Sequence, residues 1–466
     1  MLTHGFEKDR LKILFEKFFI IFIFMQPLLD ITVYMGIQIS NLIRVLALFI
    51  GLLYLYIYPD KKIKWQSIGY IVTLGIFMLL HTINNFTLKD PYFFSEELTY
   101  AIKSIYIVAM LVIYSAVFRS YKRNADWSQL IQKGITFNII FIGLVMVLAS
   151  LTDSGKRSYS MLAKSGHSGW FFSANEISAI LAMGFGIMLL YIIGKREISK
   201  KIIFLPFVFI AGWSMLTVGT KVAFLALIVL LSVGLILSLF EVIFKRKSGF
   251  NLLIIVSLLA VTLIYLPYSD VGNNLSITFS EPSAPSNDNI QTPNDETNQN
   301  NDMPKENYAE HDKGNFSSEF IKKALSGRDS FFTTILEDYK ESPLSQKLLG
   351  MGPGGNYESK LKLIEMDFLD WFFSFGIIGF SLLIMPILLL GFMVIRNLIQ
   401  FRFRQMNSEF FMVSIEVGLA IGVSIFAGHI FLNPASGIYF SILLSYLFVL
   451  STNKDKHVED NPKEIL

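Results

Sequence analysis

The sequence predicts an all-α, polytopic membrane protein of about twelve spanning helices with one large loop on the outer face of the membrane. Three observations carry that prediction. A mean hydropathy of +0.52 with 53% hydrophobic residues is too apolar for an ordinary soluble chain of 466 residues. Charged residues make up only 17%, against roughly a quarter in soluble domains. Finally, apolar stretches of about 17–25 residues recur along the chain, the length that a bilayer core demands of a helix.

The first stretch, 18–37, follows Lys8, Arg10 and Lys12 in the manner of a signal peptide. Pro27, Leu28, Leu29 and Asp30 lead into further span without a small-residue cleavage site, so it reads as an uncleaved helix. Eight more follow at 41–58, 66–83, 101–118, 134–151, 174–194, 202–218, 221–244 and 251–268, and three close the chain at 368–394, 410–431 and 435–451. Basic residues alternate with these stretches. Lys61, Lys62 and Lys64, then Arg119, Lys122, Arg123 and Lys133, then Lys195, Arg196, Lys200 and Lys201 fall on one side. Lys245, Arg246 and Lys247, then Arg396, Arg402 and Arg404 continue the series, which places both termini in the cytoplasm. The short segment 152–173, with Lys156, Arg157 and Lys164, is the basic exception on the other side.

The expected organisation is therefore a membrane domain of nine spans over 1–268, an extracytoplasmic loop over 269–366, three spans over 367–451 and a cytoplasmic tail over 452–466. Residues 280–315 are rich in Asn, Asp, Glu, Pro and Ser; too apolar-poor to bury a core, they are expected to be disordered. Residues 316–366 are expected to form a helical cap. Phe316 to Leu325 and Ser330 to Glu341 carry apolar residues at helical spacing, and Ser342-Pro343 stops the second helix. The chain has no Cys, which excludes disulfides, thiolate metal sites and cysteine nucleophiles. A net charge of +3 is too small to suggest a nucleic-acid partner.

Ionisable residues within spans are costly and mark functional sites by default. Asp30, Arg44, Lys103, Glu176, Lys221, Glu365, Asp367, Asp370 and His429 all fall in the outer half or at the outer edge, whereas Glu416 lies near a helix middle. Asp30 and Arg44, on adjacent helices, read as a structural pair. Four outer patterns stand out. Lys156-Arg157 through Lys164 leads into His167-Ser168-Gly169-Trp170-Phe171-Phe172-Ser173-Ala174-Asn175-Glu176, where Ser173 or Asn175 is placed to cap a helix; basic residues outside suit an anionic partner or lipid headgroups. Gly219-Thr220-Lys221 sets a cation at a helix N-terminus, where the dipole disfavours it unless an anion lies nearby, although snorkelling also accounts for it. Ser326-Gly327-Arg328 precedes Gly350-Met351-Gly352-Pro353-Gly354-Gly355, a loop that suits either an anion nest or a plain turn. Glu365-Met366-Asp367, followed by Asp370, puts three carboxylates where the loop re-enters the membrane, as catalytic groups, a metal pair or solvated helix-end charges.

These elements, in this order and topology, resemble the O-antigen ligase and polymerase family of bacterial cell-surface polysaccharide enzymes. The likeness runs through Gly-Trp-Phe-Phe-Ser-Ala-Asn at 169–175, Gly-Thr-Lys at 219–221, Ser-Gly-Arg at 326–328, Leu-Gly-Met-Gly-Pro-Gly at 349–354, Glu-Met-Asp at 365–367 and Ala427-Gly428-His429. What the resemblance implies is a GT-C-like glycosyltransferase architecture in the cytoplasmic membrane. It further implies inverting, metal-independent glycosyl transfer without a cofactor, at the outer face. The implied partners are an undecaprenyl-pyrophosphate-linked glycan donor, a glycan acceptor, the bilayer and other polysaccharide-assembly membrane proteins. By position, Arg157, Lys221 and Arg328 would clamp the pyrophosphate, with Lys164, Asn175 and His429 as further substrate contacts and Glu365 or Asp367 as the general base. Two departures are visible. Lys221 stands where many relatives have Arg, losing a bidentate fork. In the ligases a His occupies the region of 365–367; here the stretch between His311 and His429 has none, which favours a polymerase of lipid-linked repeat units over a ligase. A polysaccharide flippase or other transporter would also have twelve spans, but would be expected to show related halves and midplane charges, and no internal repeat is apparent.

Overall fold

The computed structural model describes residues 2–37, 39–160, 163–245, 249–280, 328–357 and 363–452. The helices are α1 (Leu2–Tyr34), α2 (Ile39–Ile57), α3 (Lys61–Leu88), α4 (Phe94–Tyr121), α5 (Trp127–Leu151), α6 (Ala174–Ile193), α7 (Ile198–Thr217), α8 (Lys221–Lys245) and α9 (Phe250–Tyr265). After a 3-10 turn come α10 (Asp270–Ser280), α11 (Arg328–Glu341), α12 (Leu344–Leu349), α13 (Asp367–Gln400), α14 (Ser408–Phe426) and α15 (Pro434–Ser451). Among the described residues the fold is all-helical apart from an isolated β-bridge between Arg157 and His167. Eleven helices, α2 to α9 and α13 to α15, are long and apolar enough to cross a membrane. The expected first stretch, 18–37, falls mostly in α1, which ends at Tyr34 and packs on α2, α4 and α5. The expected disordered segment 280–315, apart from Ser280, and the first cap helix, 316–325, lie outside the described residues, as does the tail beyond Thr452.

α6 and α15 are apolar all round and almost wholly buried, as a helix at the centre of a bundle must be. α15 packs against α4, α6, α13 and α14, and α6 against α5, α7, α8 and α14. The outer helices instead expose their apolar faces: Ile76, Leu79, Ile83 and Phe86 on α3, and Leu253, Val256, Val261 and Ile264 on α9. Faces of that kind belong against lipid. α3 and α4 run past the expected ends at 83 and 101, to Leu88 and back to Phe94. Hydropathy marks the bilayer-spanning part of a helix, whereas the extra turns carry polar residues that tie down the loop described next.

α13 is broken at Gly376, whose φ of 63° and ψ of −171° lie outside the helical region. Such a break strands carbonyls of the preceding turn. They are satisfied from the Gly-rich loop: Met351 donates its amide to Phe373 O at 3.0 Å and Gly352 to Ser374 O at 3.0 Å. The approach needs glycine on both sides. A Cβ on Gly376 would meet the Gly350 nitrogen at 2.5 Å, and one on Gly350 would meet Ser374 O at 2.1 Å. The same loop is held from behind by α3 and the α3–α4 turn. His81 Nδ1 contacts Leu349 O at 2.7 Å, Asn85 donates to Gly350 O at 3.1 Å and Lys89 to Met351 O at 3.0 Å. The anion-nest reading of 350–355 is corrected: Gly350, Met351, Gly352 and Gly355 all spend their amides inside the protein. The loop is a buttress.

Candidate active site

The described parts of the connections 152–173, 218–220 and 427–433 gather at the end of the bundle that also carries α10, α11 and α12, here called the loop end. Segment 155–169 doubles back on itself, with Lys156 donating to Gly169 O and Ser158 to Gly166 O, each at 2.9 Å. It is pinned to the neighbouring turn by Ser158 Oγ donating to Val218 O at 2.7 Å and Tyr159 Oη to Gly219 O at 3.1 Å. Asn274 of α10 joins the pieces, donating to both Ser165 O and Gly219 O and accepting from the Ser165 amide. Gly219 is required there: its φ is +78°, and a Cβ would meet Asn274 Nδ2 and Ser165 O at 2.7 Å.

Cations from three segments meet at this end. Arg157 is exposed and donates to Lys164 O at 3.2 Å. The charges of Lys164 and of Arg328 both act on Lys221. Arg328, the first residue of α11, also donates to Glu365 Oε2 at 3.3 Å and to Ala427 O at 3.4 Å. His429 approaches the same carboxylate oxygen, its Nε2 at 3.7 Å. Asn175 stands exposed in the first turn of α6, and no hydrogen bond among the described residues draws it into the cluster. Ser173 occupies the cap position of α6 in backbone terms but makes no side-chain cap bond, so the expected capping by Ser173 or Asn175 is corrected.

The two candidate bases have different surroundings. Asp367 is fully buried and accepts the amides of His429 at 3.0 Å and of Ile430 and Phe431 at 2.9 Å each. Asp370, one turn on, accepts the amides of Ile364 at 2.9 Å and Met366 at 3.0 Å. These two acids therefore stitch the 363–366 and 427–433 segments onto the start of α13. Glu365 lies between them, 35% exposed in its side chain. Both Glu365 (φ 64°) and His429 (φ 67°) are held in the left-handed region, where a side chain is strained and persists only if its surroundings enforce it. The stitching by Asp367 and Asp370 supplies that enforcement. α11 completes the wall: Phe332, Ile335, Leu336 and Tyr339 pack on Met351, Ile364, Phe372 and Phe373.

Electrostatics follow from this geometry. Burial alone would raise the Glu365 carboxyl, but hydrogen bonding and charge from His429, and then Arg328, outweigh it and hold the group below its ordinary value. Burial alone would lower His429, but Glu365, with Asp367 adding, lifts the imidazole above its ordinary value. Glu176 faces Asn433 and feels the charges of His429, Asp30 and Arg44; the Asp30–Arg44 pair, at 2.5 Å, is nearly buried behind it. Asn433 escaped the reading of the sequence, although Asn433-Pro434 is a helix-start signal, with Asn433 accepting the Ala435 amide. Beside the cluster, Ser95, Glu96, Thr99 and Lys103 of α4 line a cleft of about 300 Å³ together with Pro353, Leu363 and Leu432.

The sequence model of one protein family, described as O-antigen ligase like membrane protein, matches residues 12–453. No curated protein matches the chain.

Proposed function

The chain belongs to the O-antigen ligase like membrane protein family, whose polysaccharide ligase and polymerase activities transfer glycans, and from that premise we propose that it polymerises lipid-linked oligosaccharide repeats at the loop end. The observation that carries this reading is that Lys164 and Arg328, from separate segments, both bring their charge to bear on Lys221, while Arg328 also reaches Glu365. Cations gathered in this way suit a polyanionic ligand, and the pyrophosphate of an undecaprenyl-linked donor is one. Arg157, tied to Lys164, stands at the rim of the same group.

The transfer is an inverting displacement. An acceptor hydroxyl oxygen attacks the anomeric carbon of the donor, the bond from that carbon to the pyrophosphate breaks, and its electron pair leaves on the bridging oxygen. The cations stabilise that charge as it builds. Glu365 takes the hydroxyl proton, and the acceptor enters through the cleft lined by Glu96, Thr99 and Lys103. At rest Glu365 is a weak base because Arg328 and His429 depress it. When the donor draws Arg328 onto its phosphates, the carboxylate loses that partner and gains basicity, so proton abstraction is coupled to donor binding. Asp367, surrounded by three amides, positions this pair and does not exchange protons with substrate.

A ligase reading has one specific observation in its favour. Although no His lies between His311 and His429, His429 reaches Glu365 in space, so an imidazole does stand beside the carboxylate. Purified protein in liposomes with purified lipid-linked repeat distinguishes the two, since a polymerase lengthens the lipid-linked chain without any further acceptor. Arg328→Ala should lose both donor affinity and turnover, and Arg328→Lys should recover only part, lacking the planar fork. Unchanged donor affinity and turnover in Arg328→Ala would remove the clamp. Placement of the loop end outside the cell is tested with Ser276→Cys in this Cys-free chain, where an impermeant maleimide should label intact cells.

A further inference from the structure

The cleft of about 300 Å³ at the loop end has two unlike walls. One is a stripe of α4, where Glu96, Thr99 and Lys103 recur at helical spacing. The other is apolar: Pro353, Leu363 and Leu432. Leu363 and Leu432 adjoin Ile364 and Phe431, whose amides are held by Asp370 and Asp367. The cleft is thus built on the same two segments that carry Glu365 and His429. Tyr100 lines it as well, but its hydroxyl is already engaged by Ser374 Oγ at 3.2 Å, so polar recognition falls to the three exposed side chains of α4. Lys103 is a cation in a helix long and apolar enough to cross a membrane, and among the described residues neither it nor Glu96 is held in an ion pair. A charge in such a helix is costly and marks function by default. Helical side chains lean toward the helix N-terminus, and α4 begins at the loop end, so the ammonium leans toward Thr99 and Glu96 and not toward the bilayer centre.

From this juxtaposition we infer that the cleft is the subsite for the acceptor sugar that carries the attacking hydroxyl, and that it selects an uncharged pyranose. The inference rests on the proposed glycosyl transfer and adds the class of sugar. A carboxylate only accepts hydrogen bonds and an ammonium only donates them. Thr99 gives its own proton to Ser95 O at 2.7 Å and keeps its lone pairs for a ligand. Hydroxyls, which both donate and accept, satisfy Glu96, Thr99 and Lys103 together. A pyranose carries hydroxyls at its edge and C–H groups on its faces, matching the polar and apolar walls. An acidic sugar would set its carboxylate against Glu96, and a sugar with a free ammonium would meet Lys103. The volume lies at the low end of the range for small-ligand sites, roughly 300–1,000 Å³, which suits the end of a glycan and not a long stretch of it.

Ser95 lines the cleft without taking part in this recognition, and in the Cys-free chain it offers a reporter. Full-length Ser95→Cys protein in detergent is labelled with a maleimide in the presence of the free oligosaccharide released by mild acid from purified lipid-linked repeat. The oligosaccharide should protect the thiol. Adding Glu96→Gln or Lys103→Met should raise the concentration for half-protection about tenfold or more, since each removes a hydrogen bond to a charged group. Binding of undecaprenyl pyrophosphate should stay unchanged in both. Linkage analysis of the polymer from the cells that make it should find an uncharged sugar joining successive repeats. An unprotected thiol, protection unaltered by either substitution, or a charged joining sugar would each overturn the inference. Loss of undecaprenyl pyrophosphate binding in Lys103→Met would overturn it too, by moving that lysine to the donor side. Failure of the polymerase reading looks different: the thiol is protected, yet wild-type protein does not lengthen lipid-linked repeat.

Discussion

Two polar networks sit at the loop end, and they differ in how much of their charge is already spent. Around the Gly-rich loop, Lys89 and Glu97 pair at 2.5 Å with side chains 1% and 3% exposed. Tyr357 donates to the same carboxylate at 3.2 Å while its ring lies under the lysine. Around Glu365, the partners are 3.3 and 3.7 Å away, and the side chains of Arg328, His429 and Glu365 are 15%, 29% and 35% exposed. The first network is buried and short-ranged, as a scaffold should be. The second is looser, more exposed and strained in its backbone, with the charge of Arg328 also acting on Lys221, as the proposed anion site requires. Ionisable residues at this end thus divide by burial and by how closely they are paired, and the proposed reaction uses the more open group.

The sharpest way to break the comparison is to neutralise one member of each network. Glu365→Gln should lower chain extension on the order of 10²–10⁴-fold, the usual range for loss of a general base, while the thermal midpoint in detergent stays at the wild-type value. Lys89→Met should do the reverse. Removing one partner of a buried pair costs about 3–5 kcal/mol because the other is left uncompensated, so the protein should unfold earlier in a melting experiment and accumulate poorly. If Lys89→Met folds normally but fails in transfer, the buried network is catalytic after all and the division is wrong.

Asp367→Asn sharpens the same contrast within a single motif. Its carboxylate accepts three backbone amides, and bonds to a charged acceptor are worth about 1.5–3 kcal/mol each. The variant should therefore lose stability as well as turnover, unlike Glu365→Gln. A variant that melts like wild-type protein but cannot transfer would return Asp367 to candidacy as the base.

Most of the fold was open to inspection in the sequence because the bilayer imposes a length and a charge bias that survive without any alignment. Each expected apolar stretch has its helix, although 18–37 and 410–431 run past the helix ends at Tyr34 and Phe426, and the residues beyond Phe426 belong to the connection that carries His429. The site was only half legible. Glu365, Asp367, Arg328 and Lys221 stood out as charges in costly places. What separates Glu365 from Asp367 is which backbone amides lie opposite each, and those belong to 429–431, more than sixty positions away in the chain. The Gly-rich loop misled for the same reason. Glycines that cradle an anion and glycines that cradle a broken helix read alike, and only the break at Gly376 distinguishes them. His429 could be singled out as an ionisable residue near a span end, but its meeting with Glu365 across separate loops left no local trace.

The smallest expected effect bears on the coupling between His429 and Glu365. The folded state depresses Glu365 and raises His429. A depressed carboxyl stabilises the fold above its unfolded value and loses that contribution as pH falls through the folded one. A raised imidazole stabilises the fold below its unfolded value and loses that contribution as pH rises through the folded one. The pair is therefore strongest between the ordinary carboxylate and imidazole ranges. Turnover, which needs Glu365 ionised, should fall on the acid side along a limb displaced below the ordinary carboxylate range. His429→Gln removes the strongest influence that lowers Glu365, so that acid limb should move to higher pH. An ion pair this open is worth about 0.2–1 kcal/mol, and one pH unit corresponds to about 1.36 kcal/mol, so the displacement should stay below a unit. Rates of chain extension measured across pH for wild-type and variant protein provide the check. An acid limb that stays in place would mean that the imidazole does not tune the carboxylate, leaving Arg328 alone to govern its basicity.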